Sequence, residues 1–87
     1  MATVYIPAAL RELTDGVECL KVEASTVRQV IAALEARWPA LQGRLRQQDE
    51  LAAGLAVSID GAISSRGLLA RVGPESEVHF IPAIGGG

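Results

Sequence analysis

The chain ends in Ile84-Gly85-Gly86-Gly87, directly after the apolar run Phe80-Ile81-Pro82-Ala83. Glycine loses the most backbone entropy on ordering and brings no side chain to a core, so three of them at one end add nothing to a fold. What they present is the terminus itself. A C-terminal carboxylate can be activated as a mixed anhydride with AMP, and a thiolate or sulfide can then displace the nucleotide. That chemistry requires the end of the chain to enter another protein's catalytic channel. Residues without Cβ pass a narrow channel and accept unusual φ/ψ values. Ordering them costs on the order of 1 to 2 kcal/mol per residue, so docking of a folded body has to supply the affinity. The bland alternative is a frayed end without a role.

Other residues with chemical potential are few. His79 is the single histidine and Cys19 the single cysteine. An intramolecular disulfide, a cysteine metal cluster and a His-rich metal site are therefore excluded. His79 reads as an exposed strand residue near a partner-facing surface, with general base or ligand as the sharper alternatives. Cys19 lies among charged neighbours, and no local feature marks it as a reactive thiol. Asp49 and Glu50 stand beside Arg44 and Arg46, the ordinary pattern of a solvated connection. The glycines of Ser64-Ser65-Arg66-Gly67 and of residues 67–73 neither follow a strand nor open a helix, so no phosphate cradle is expected. Nothing in the interior of the sequence assembles an active site, a metal site or a bound cofactor, and the protein reads as a co-substrate rather than an enzyme.

Composition sets the frame for a body that could carry such a tail. With 87 residues the chain has room for one domain and one core. Hydrophobic residues make up 49% and charged residues 21%, too apolar for disorder. Its aromatics are Tyr5, Trp38 and Phe80, which leaves the core to aliphatic side chains. A net charge of -2, with basic residues scattered among acids, argues against a nucleic-acid surface. The opening residues lack a basic segment followed by an apolar stretch, and no run approaches the ~20 residues needed to cross a bilayer. The expectation is a cytoplasmic protein that binds neither membrane nor nucleic acid.

Hydrophobic periodicity then places the elements. Residues 3–6 form a β-branched strand that Pro7 ends, and residues 8–13 form an irregular connection that could start a helical turn. Asp15-Gly16 supplies turn chemistry, and residues 17–23 alternate, with Leu20 and Val22 opposite Cys19 and Lys21. Val27, Val30, Ile31, Leu34 and Trp38 fall on one helical stripe, entered through the Thr26/Gln29 spacing of a capping box and stopped by Pro39. Residues 40–48 hold at most a short turn, and residues 49–54 connect back to the sheet. Residues 55–63 form a second hairpin about Asp60-Gly61, after which Leu68 and Leu69 are expected to tuck inward. Val78 and Phe80 face one way in the last strand, and His79 and Ile81 the other. One helix across a mixed sheet of four to five strands is an α+β arrangement, and the element order makes the β-grasp, or ubiquitin-like, roll the economical topology. Residues 1–84 form the domain and residues 85–87 the tail.

This sequence resembles the ThiS/MoaD-type sulfur carrier proteins over nearly its whole length. The residues that carry the resemblance are VYIPAALRELTDG, STVRQVIAALEARWPAL, VSIDGAI and GPESEVHFIPAIGGG. The opening and the proline of FIPAI look more like the longer MoaD-like branch, which includes cysteine-biosynthetic carriers. The resemblance implies that a ubiquitin-activating-type adenylyltransferase uses ATP to adenylate the terminal glycine. A sulfur donor then gives a thiocarboxylate, which a downstream synthase consumes. Carried over by position, Gly86 and Gly87 match the Gly-Gly end with the Gly87 carboxylate as acceptor, and Phe80, Ile81, Pro82 and Ile84 match the apolar stretch that partners grip. Gly85 departs from the two-glycine pattern. Either the tail is one residue longer, with Gly87 trimmed before use, or a small residue has become glycine and the register is unchanged, which we favour. Alternatives from the same resemblance are the small subunit of molybdopterin synthase and a ubiquitin-like protein modifier.

Overall fold

A computed structural model describes residues 1–82, and the expected domain end at residue 84, together with Ile84, Gly85, Gly86 and Gly87, lies outside them. Strand β1 (Ala2–Tyr5) turns back into β2 (Cys19–Val22), helix α1 (Val27–Arg37) follows, and β5 (Leu55–Ile59), β6 (Ala62–Ile63) and β7 (Glu77–Pro82) complete the main sheet. A two-stranded ribbon, β3 (Arg46–Gln47) and β4 (Glu50–Leu51), stands apart from it. The main sheet has the order β2-β1-β7-β5-β6, with β1 and β7 parallel and every other pair antiparallel. This is the β-grasp roll, five strands with one long helix.

The helix forms where the stripe placed it. Thr26 accepts a hydrogen bond from the Gln29 amide at 3.3 Å, satisfying one of the orphan donors of the first turn. The Gln29 carboxamide reaches one residue further back than a capping box requires and accepts from the Ser25 amide at 2.7 Å. Val27, Val30, Ile31, Leu34 and Trp38 are all buried, and they pack with Val4 and Ile6, Val57, and Val78 and Phe80 into one core. Glu35, off the apolar stripe, is also buried, because Arg46 of the small ribbon meets its carboxylate at 3.2 Å.

Three expectations need correction. Residues 8–14 form a seven-residue 3-10 helix rather than an irregular connection, closed by Asp15 in the left-handed conformation (φ 57°) and by Gly16 (φ 82°). Residues 46–51 pair as a ribbon through a turn at Gln48, itself at φ 58°, where only a turn and a connection were expected. Asp49 is solvated as expected, its side chain 87% exposed, and it meets Arg28 of α1 at 3.1 Å on that surface. Of the two leucines expected inside, Leu68 is 3% exposed and fills the core, whereas Leu69 is 66% exposed. A single 3-10 turn cannot aim two successive side chains inward.

Candidate functional site

Everything that bears on the tail converges on the end of β7. Alternation along this strand sends Val78 and Phe80 to the core and leaves His79 and Ile81 on the opposite face. Because β7 is central, both its neighbours fix its register: Tyr5 lies beside His79 on one side and Ser58 on the other, while Ala56 lies beside Ile81 and Leu55 beside Pro82. The described part of the strand runs to Pro82, which pairs with Leu55 but has no amide hydrogen to give the ladder.

The outer face of the sheet carries no packed layer among the described elements. Across it runs one register row, Cys19, Tyr5, His79 and Ser58, contributed by four adjacent strands. Tyr5 and His79 are stacked, their ring centroids 4.1 Å apart and their planes within 4°. A second row sets Lys21 and Glu77 on either side of Thr3. The result is a surface with an aromatic ridge at its centre, bordered by Ile81 toward the strand exit.

On the core side of that exit lies a shallow groove of about 210 Å³, walled by Pro7, Leu10, Ala52, Leu55 and Pro82, with Arg44 at its edge. The walls come from three separate segments. The 3-10 helix brings Leu10, the end of the ribbon connection brings Ala52, and the β5/β7 ladder brings Leu55 opposite Pro82.

The residues singled out from sequence therefore separate. Ile81 is half-buried on the outer face and Pro82 is exposed at the exit, both open to a partner. Phe80 is 3% exposed, a core residue with no surface to offer, so it leaves the set of gripping residues: its strand parity points the ring under α1. His79 is half-buried against Tyr5. Cys19 is exposed at the start of β2. Ile84, Gly85, Gly86 and Gly87 lie outside the described residues. Among the described residues no group of three or more His, Cys, Asp or Glu is close enough to hold a metal ion, and no helix is long and apolar enough to cross a membrane. Sequence reasoning missed Tyr5 and the groove. Tyr5 and His79 each sit at the polar phase of their strands, which was legible, but their adjacency depends on a parallel pairing between the two ends of the chain.

Comparison with known proteins agrees with this geometry. The model of the ThiS family matches residues 4–87, the terminal glycines included. Among solved structures, the chain is similar to one from the crystal structure of the Amycolatopsis orientalis BexX/CysO complex, with 29% identity, a TM-score of 0.88 and full coverage of both chains. It is also similar to Mycobacterium tuberculosis CysO, described as an antigen, with 26% identity and a TM-score of 0.84 over 97% of this chain and 100% of that one. The small archaeal modifier protein 1 of Methanosarcina acetivorans is 25% identical with a TM-score of 0.79, over 99% of this chain and 95% of that one. No curated protein sequence matches.

Proposed function

The chain belongs to the ThiS family, and from that membership we propose that it is a sulfur carrier whose Gly87 carboxylate is the working group. An activating enzyme binds the folded body and ATP, the carboxylate attacks the α-phosphate, and pyrophosphate leaves. Sulfide released by a donor then attacks the acyl carbon, AMP departs with the oxygen it bridged, and a thiocarboxylate remains on Gly87. A biosynthetic synthase takes the sulfur in turn, and cysteine formation is the pathway we favour. In this reading Gly87 is the acceptor and Gly85 the substituted small residue. ATP is consumed by the partner, and the carrier itself binds no cofactor. The cytoplasm, where ATP is at hand, is the expected setting.

The observation that carries this reading is that the family match runs through the last residue, so the glycine end falls within the shared pattern. The body supports it by its division of labour. Pro82 is exposed and Ile81 half-buried at the end of the described chain, and the outer face beside them carries no packed layer among the described elements, which leaves it for an enzyme to hold. A CysO protein seen in complex with BexX supports the expectation that this chain too works docked on a partner. The test is carrier-dependent exchange of pyrophosphate into ATP by the activating enzyme. Exchange with the full chain and none with a chain lacking Gly86 and Gly87 supports the reading, and exchange that persists without them removes it.

A second reading, protein modification through an isopeptide bond from Gly87 to a lysine, is favoured by the likeness to small archaeal modifier protein 1. Lysines bearing a tail-derived glycine remnant in cell lysates would identify it.

A further inference from the structure

Of the eight basic residues in the chain, Lys21 is the single lysine and all the others are arginine. The two cations behave differently toward an activated acyl group. A guanidinium keeps its proton throughout the physiological range and is no nucleophile, whereas an ammonium can give up a proton and become an amine open to acylation. A protein whose own end is turned into an acyl adenylate therefore carries one side-chain amine able to intercept it.

The fold leaves that amine open. Lys21 lies in β2, an edge strand of the main sheet, and is exposed there. Its strand parity is that of Cys19, so its four-carbon stem projects from the outer face, over which no described element packs. Neither ion pair among the described residues involves it. Beside it lies Thr3, and beyond Thr3 lies Glu77, the first residue of β7. Lys21 is therefore two strands and five residues away from Pro82, about 10 Å across the sheet and about 17 Å along it. Five residues follow Pro82, and fully extended they span at most roughly 18 Å. A chain end held in an activating channel has no length left to reach its own Lys21. The amine of a second copy is under no such limit.

We propose that Lys21 is the site at which one copy of this chain is acylated by the activated end of another, giving an isopeptide-linked dimer when sulfide is scarce. The proposal rests on Gly87 being activated as an adenylate. The deprotonated Lys21 Nζ attacks the Gly87 acyl carbon of the other copy, a C–N bond forms, and the bond from that carbon to the bridging oxygen breaks. AMP leaves with that oxygen and the electron pair, and the nitrogen sheds one proton to water. Nothing is oxidised or reduced. Sulfide attacks the same carbon, so the two nucleophiles compete, and arginine at every other basic position confines side-chain acylation to one place.

The test mixes two full-length chains with ATP and an activating enzyme, without a sulfur donor. The donor is the chain itself, and the acceptor is an isotope-labelled copy whose terminal carboxyl is an amide and so cannot be activated. Because the acceptor takes no part in charging, a substitution in it reads acceptance alone. We expect a labelled product with the summed mass of the two chains less one water, and fragmentation that places the donor's Gly87 on the Nζ of Lys21. An acceptor carrying Lys21→Arg, which keeps the charge, should give none, and added sulfide should suppress the product from the unaltered acceptor. Pyrophosphate exchange that proceeds without a labelled dimer would overturn the proposal and leave the sulfur-carrier reading in place. A dimer that survives Lys21→Arg, a bond to the α-amino group of Met1, or a donor monomer lighter by one water, the mark of a bond within one copy, would overturn it as well. Absence of pyrophosphate exchange would remove both.

Discussion

The two faces of the central strand answer to different demands. On one side Val78 and Phe80 join α1 and β1 in a closed aliphatic core. On the other, His79 stacks on Tyr5 and Ile81 lies beside Ala56, with nothing packed over them among the described residues. Residues of the first kind are fixed by volume and burial. Residues of the second are free of that demand, and in a carrier they are available to whatever must hold the body while the tail reacts.

If that division is right, inner and outer substitutions should separate stability from charging. The largest stability effect is expected for Leu34→Ala, which opens a cavity in the fully buried core; it should cost about 2 to 5 kcal/mol, lowering Tm on the order of 10 to 30 °C, while the fraction still folded is charged normally. Next comes Asp60→Ala. The Asp60 carboxylate accepts from the Ser76 hydroxyl and the Glu77 amide, both at 2.9 Å, and so clasps the β5–β6 turn to the start of β7. Its loss should cost roughly 1 to 3 kcal/mol by chemical denaturation. Thr26→Ala removes the N-cap of α1 and should cost about 1 kcal/mol in the same measurement. His79→Ala should be about as mild for stability, within about 0.5 to 1.5 kcal/mol for the lost stack, yet it should slow charging of the folded protein. Were it to unfold the chain as Leu34→Ala does, or leave charging untouched, the contrast between the faces would fail.

How far the sequence revealed this depends on the range of each interaction. The α1 stripe and the alternation of β7 are written in adjacent residues, and both the helix and the core side of Phe80 follow from them. Even so, likeness to a family's gripping segment drew Phe80 into the docking set against its own strand parity, and burial removes it. The β3–β4 ribbon escaped because strands of two residues have no period and its turn uses Gln48, a non-glycine at positive φ. Leu69 looked like Leu68 by composition, and only the 3-10 geometry separates them. Glu35 reads as a surface residue until Arg46, eleven positions on, covers it. The Tyr5–His79 stack and the groove were illegible for the same reason, since each is assembled from segments that meet only when the two ends of the chain pair in parallel.

The most direct test of the central claim is the intact mass of the chain after incubation with ATP, a sulfur donor and an activating enzyme shown to be competent on another carrier. The expected product gains the difference between one sulfur and one oxygen, and fragmentation places the gain on Gly87. No change, or a whole added sulfur atom on Cys19 instead, would contradict it.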